Sequence, residues 1–189
     1  MEYFDDEKKV AEYIKMAEGY DGRDLMPILA LHLKPGASVL ELGMGPGKDY
    51  ELLNEHYRVT GSDNSHAFLE RYRHINPSAD LVWLDAATME IDRRFDCIYS
   101  NKVLQHLSRP ALVDSLTRQW HVLNDAGILF HTFWYGKGEE IVEGLRFTYY
   151  TEVSFQSALG QGYEIVESGR YAEMEEEDSI YFVVRKMLA

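Results

Sequence analysis

A short apolar run closed by alternating glycines, Val39-Leu-Glu-Leu-Gly-Met-Gly-Pro-Gly-Lys-Asp49, constrains this chain more than any other stretch. Val39, Leu40 and Leu42 suit a buried parallel strand, and a helical pattern begins near Lys48. Strand, glycine turn and helix together form a cradle for a nucleotide-like ligand. Spacing separates the ligand classes that use it. A phosphate loop requires G-x-x-x-x-G-K-[ST], but Leu42 stands at the first glycine and Asp49 follows Lys48. A dinucleotide fingerprint requires G-x-G-x-x-G, and its last position is Lys48. What remains is an acid, Glu41, followed by G-x-G-x-G at Gly43, Gly45 and Gly47.

Composition narrows the partners. A net charge of −13 repels a phosphate backbone, so nucleic acid is not expected as a substrate. The 189 residues, 46% apolar, suit one domain over residues 1–189. Helical residues 1–36 would form a lid over a core spanning 37–189. No apolar run reaches membrane-span length, and the N-terminus lacks a basic-then-apolar signal pattern. The single Cys97 fits a reducing cytoplasm. The seven histidines are scattered without metal-ligand spacing, so no metal is expected.

Along the chain, helices and strands alternate. Val10, Tyr13, Ile14 and Ala17 share one helical face, and Asp24 is positioned to cap a second helix through Leu33. Tyr13 reads as helix packing, whereas Tyr20, in a glycine-flanked turn, is free to reach a ligand. Tyr57–Asp63, Asp80–Asp85, Phe95–Ser100 and Ile128–Phe133 read as further strands. Asp63 lies 20 residues beyond Gly43, where a ribose-binding carboxylate stands in nucleotide-binding βα units. Ser65 or Asn64 can cap the following helix in its place. Ser100, Asn101 and His106 follow the fourth strand at its carboxyl end. Trp134, Tyr135, Phe147, Tyr149 and Tyr150 crowd the region after the fifth, where Glu139, Glu140 and Glu143 read as a solvated acidic helix. Tyr163–Ser168 and Ser179–Arg185 alternate as a terminal antiparallel pair. The whole describes an α/β fold: a Rossmann-like, doubly wound, mostly parallel seven-stranded sheet with a C-terminal antiparallel hairpin, in an α/β/α sandwich.

Glu41 to Gly47, Asp63 and Asp85-Ala86 together resemble the motifs of class I S-adenosylmethionine (SAM)-dependent methyltransferases. The likeness spans nearly the whole chain and is closest to compact, type 11/12-like members that modify small molecules. It implies SAM as cofactor, with S-adenosylhomocysteine (SAH) as product. By resemblance Gly43, Gly45 and Gly47 line the SAM tail, with Glu41 and Met44 in the same cofactor-binding stretch. Asp63 holds the ribose, Asp85 and Ala86 meet the adenine, and Tyr20, Asn64, Ser100 and Asn101 complete the cofactor set. The segment N-P-P-[YF] is absent after the fourth strand, where Tyr99-Ser-Asn-Lys stands, which removes support for base-amine and glutamine methylation. No proline precedes Cys97, so cysteine-mediated cytosine chemistry is not implied.

The implied reaction is in-line methyl transfer to an N, O, S or C nucleophile of a small-molecule acceptor. Alignment of two bound reactants supplies roughly 7–11 kcal/mol of such a barrier. If the nucleophile starts protonated, His106 and His131 are the candidate bases. Trp134, Tyr135, Arg146 and Tyr149 are candidates for the acceptor pocket. The competing readings are a non-catalytic SAM-binding scaffold and a dinucleotide oxidoreductase. A monomer or homodimer is expected.

Overall fold

The computed structural model describes residues 7–16 and 19–187. Seven strands form one sheet in the order β3-β2-β1-β4-β5-β9-β8. They are β1 (Ser38–Leu42), β2 (Arg58–Asp63), β3 (Leu81–Trp83), β4 (Phe95–Asn101), β5 (Leu123–Trp134), β8 (Tyr163–Tyr171) and β9 (Ser179–Lys186). The first five run parallel. β9 is antiparallel to both β5 and β8, so the terminal hairpin folds back and inserts its second strand beside β5. The expected seven-stranded sheet with its antiparallel end is therefore the observed one.

Alternation along the central strands produces two cores. Leu40, Leu42, Ile98 and Leu129 face α5 (Arg109–Val122) and α6 (Glu152–Ala158), joined there by Leu112, Leu116 and Phe155. Val39, Cys97, Tyr99 and Phe130 face the other way, onto α2 (Met26–His32), α3 (Lys48–Asn54) and α4 (His66–Ile75) through Leu29, Leu53 and Leu69. Strands buried on both faces carry apolar residues at successive positions, as Val39-Leu40 does in β1 and Cys97-Ile98-Tyr99 in β4. Helix starts follow local chemistry. Ser65 accepts from the Phe68 amide at the start of α4, Ser108 from Ala111 at α5, and Thr151 forms a capping box at α6.

Two segments differ from expectation. Asp24 does not cap a helix; Arg23–Leu25 is a 3-10 turn leading into α2. The acidic stretch expected as a helix is a separate two-stranded hairpin of β6 (Glu139–Val142) and β7 (Leu145–Thr148). Its two-residue turn, Glu143-Gly144, has φ of 52° and 87°, both in the left-handed region that a tight hairpin of the strand's own twist demands. No helix among the described residues is long and apolar enough to cross a membrane.

Candidate active site

Beyond the carboxyl ends of β1, β2 and β4 lies a cavity of about 290 Å3. Open α/β sheets place their ligands in this position. The glycine turn forms its base. Gly43 (φ 63°) packs against Val103, where a Cβ would meet the valine methyls at 2.6 Å. Gly47 (φ 85°) is the N-cap of α3, and a Cβ there would collide with the Tyr72 ring. At both positions the positive φ and the close neighbour leave room for glycine alone.

Acids stand at the strand tips. Asp63, buried at the end of β2, accepts from the Gly45 amide (2.9 Å) and the Ser65 amide (2.8 Å). Those bonds orient its carboxylate and tie the glycine turn to β2. Asp85 lines the cavity while accepting from the Ala87 amide at 2.8 Å, and Ala86 and Asn64 complete this side. Glu41 is buried on β1, and its Oε2 has no hydrogen-bond partner among the described residues. Burial, reinforced by the charges of Asp49 and Asp63, holds its carboxyl well above the usual range.

Asp49, in the first turn of α3, accepts from the Gly22 amide (2.7 Å), the Tyr99 hydroxyl (2.7 Å) and the Asn101 amide group (3.0 Å). One carboxylate thus joins the N-terminal segment to the tip of β4. Asn101 in turn accepts from Thr132 at 2.6 Å.

The remaining wall comes from α1 (Glu7–Met16), from Leu104–His106 after β4 and from β7. Tyr13 on α1 lines the cavity, and burial together with Asp63 raises its phenol pKa. His106 also lines it. Its Nδ1 donates to the Arg146 carbonyl at 2.6 Å, and its ring meets Phe147 edge-on. That bond assigns the proton to Nδ1 and leaves Nε2 basic. Burial lowers the pKa of the imidazole, which keeps it neutral at neutral pH. Lys102, at φ 58°, sends its ammonium over the Trp134 ring at 3.7 Å and onto Glu173 and Ser179.

The structure gathers Gly43, Gly45, Asp63, Asn64, Asp85, Ala86 and His106 around one space. It reverses the expected choice between the two tyrosines: Tyr13 faces the cavity, and Tyr20 is 43% exposed in its turn. Other candidates stand elsewhere. Met44 turns into the core against Gly61. Ser100 and His131 are fully buried and bonded to each other at 2.8 Å, with the second ring nitrogen of His131 on Gln119. Burial pushes the His131 imidazole down to about 3, and both nitrogens are occupied, so it is a core histidine rather than a base at the cavity. Arg146 pairs with Glu139, Tyr149 bonds Glu140, and Tyr135 lies beneath Arg170; none of them lines the cavity. Lys102, Phe68 and Leu145 were not singled out from the sequence. Their signal is spatial, since each comes from a different element.

Residues 39–127 match a methyltransferase domain family, the same span that runs from the glycine strand to the start of β5. This segment is similar to class I SAM-dependent methyltransferase domains. A trans-aconitate 2-methyltransferase from Rhizobium rhizogenes is 34% identical over 93 residues, which cover 48% of this chain and 36% of that protein. The chain spans about a third of the length of the curated relatives it matches. Among solved structures, a SAM-dependent methyltransferase from Clostridium acetobutylicum superposes with a TM-score of 0.75 at 14% identity, covering 96% of this chain and 98% of that one. The 1,6-didemethyltoxoflavin-N1-methyltransferase of Burkholderia thailandensis, solved with its substrate and SAH, gives 0.71 at 20% identity, covering 99% and 92%. At these identities the structural likeness establishes the fold of the methyltransferase domain.

Proposed function

We propose that the chain transfers a methyl group from SAM to a small-molecule acceptor. The observation that carries this reading is the convergence of Gly43, Gly45, Asp63, Asn64, Asp85 and Ala86 on one cavity at the strand tips. The donor set suits the cofactor. A carboxylate has about four acceptor positions, so Asp63 can hold ribose hydroxyls while two backbone amides orient it. Asp85 and Ala86 offer an acceptor and a main chain to the adenine. The buried, unpartnered Glu41 Oε2 lies on the strand leading into the turn. When bound, SAM supplies an electrophilic methyl group on a sulfonium. One neighbour of known structure holds 1,6-didemethyltoxoflavin, a small molecule, together with SAH, which supports a small acceptor here.

The chain's own part is binding, orientation and exclusion of water. Tyr13, Leu145 and Phe68 cover the cavity from three elements. His106, neutral and with Nε2 as its basic atom, accepts the proton of a nucleophile that arrives protonated. A homogeneous cytoplasmic enzyme, monomeric or dimeric, without nucleic-acid partners, is the setting this reading assigns.

Calorimetric titration with SAH, SAM and NAD tests the cofactor, and a methyl-labelled acceptor panel tests turnover. Saturable SAH binding with label transfer is the expected result. NAD binding without SAH binding overturns the reading, and SAH binding without transfer to any acceptor selects the scaffold alternative.

A further inference from the structure

The β3–β4 loop that supplies Asp85 and Ala86 to the cavity has a second wall. Arg93 and Arg94 from this loop, with Arg118 and His121 from the last turns of α5, enclose a cleft of about 440 Å3 floored by Met89 and Val122. It opens at the amino end of β4. The methyltransferase cavity lies at the other end of that strand, about 20 Å away for seven residues at the usual rise. Among the described residues the two spaces share no lining residue.

The cleft runs against the charge of the chain. At a net −13, a convergence of three guanidinium groups is a local departure from the bulk. Arg93 is committed: it pairs with Asp80 at 2.8 Å and donates to Thr60 at 2.9 Å. Arg94 and Arg118 are exposed and have no hydrogen bond or ion pair among the described residues. Among the described residues Asp92 is the one acid on the lining, against the two guanidinium groups of Arg94 and Arg118. Arg118 also offsets the partial negative end of α5, which on its own disfavours an anion.

We propose that this cleft binds a small di- or polyphosphate through Arg94 and Arg118. A guanidinium fork matches two phosphate oxygens at once. The two forks approach from different elements, a loop and a helix, so the ligand must present oxygens on two sides, as a diphosphate does.

The test is calorimetric titration of the full chain with inorganic pyrophosphate, alone and with saturating SAH, beside the double variant Arg94→Gln, Arg118→Gln. Both side chains are exposed, and an unchanged melting temperature confirms that the variant is folded. The expected result is saturable binding by the wild type, weakened at least about tenfold in the variant and by added sodium chloride, and indifferent to SAH. Absence of saturable binding, equal binding by the variant, or displacement of pyrophosphate by SAH overturns the proposal. Failure of SAH to bind would count against the cofactor reading and leave the pyrophosphate titration readable.

Discussion

Asp63 accepts from the Gly45 and Ser65 backbone amides, so replacing it acts on stability and on the proposed ribose contact together. Asp63→Ala removes the acceptor of the buried Gly45 amide, at about 1–3 kcal/mol. It is expected to lower the melting temperature and to weaken SAH binding at least about tenfold. A destabilised variant that binds SAH with wild-type affinity would keep the structural role and remove the ribose role. Asp63 was legible because an acid at a fixed distance past a glycine turn is a one-dimensional signal. Tyr13 was not, because helix periodicity tells which face is apolar and not what that face covers. Glu41 gives a prediction of opposite sign. Its folded pKa is raised, so its contribution to stability is full below the unfolded value near 4.3 and is lost as pH rises through the folded value. Glu41→Gln removes that titration. Its melting temperature is expected to exceed wild type at pH 8, with the gap closing toward pH 5. A variant less stable than wild type at pH 8 would show that the carboxylate is ionised and paired.

The β6–β7 hairpin shows where element-level reading failed. Its acidic residues suited an exposed helix, and Glu is not among the residues that announce a tight hairpin turn; Asn or Asp before glycine would have done so. Gly144 was the only local clue. The long strands were legible because their apolar runs and the glycine stops agreed, whereas the hairpin depends on contacts across the chain. It is held over the cavity by the His106 bond to the Arg146 carbonyl and by Phe147 against the same ring. His106→Ala is expected to speed amide exchange of residues 139–148 by about tenfold, the equivalent of one lost hydrogen bond. β8 and β9 should be unaffected. The pH response follows from the lowered His106 pKa: the histidine contributes fully above about 6.5 and loses its contribution as pH falls toward the folded value. The wild-type hairpin is therefore expected to exchange faster at pH 5 than at pH 7 after correction for intrinsic rates, and the alanine variant to show no such difference. Identical exchange in both proteins would remove His106 as the hairpin's anchor.

At the scale of the molecule, charge sets a prediction that no single residue carries. Composition gave the net −13, but not where the acids gather. The fold brings Glu41, Asp49 and Asp63 together under the glycine turn, from β1, α3 and β2. The attractive pairs that oppose this excess are mostly at the surface. Arg23–Asp21, Arg93–Asp80, Arg146–Glu139 and Arg170–Glu177 each have at least one well-exposed partner, and such pairs contribute about 0–1 kcal/mol. Repulsion between like charges acts over longer distances, and screening removes it first: the Debye length falls from roughly 30 Å at 0.01 M salt to about 10 Å at 0.1 M. Salt is thus expected to stabilise this chain. Its melting temperature should rise by a few degrees between 10 and 200 mM sodium chloride, on the order of 1 kcal/mol for a chain of this length. Choline chloride should act equally, since screening does not depend on which cation supplies it. A fall in melting temperature would mean that the surface pairs outweigh the repulsion, and a rise with sodium alone would point to a bound cation among the acids instead.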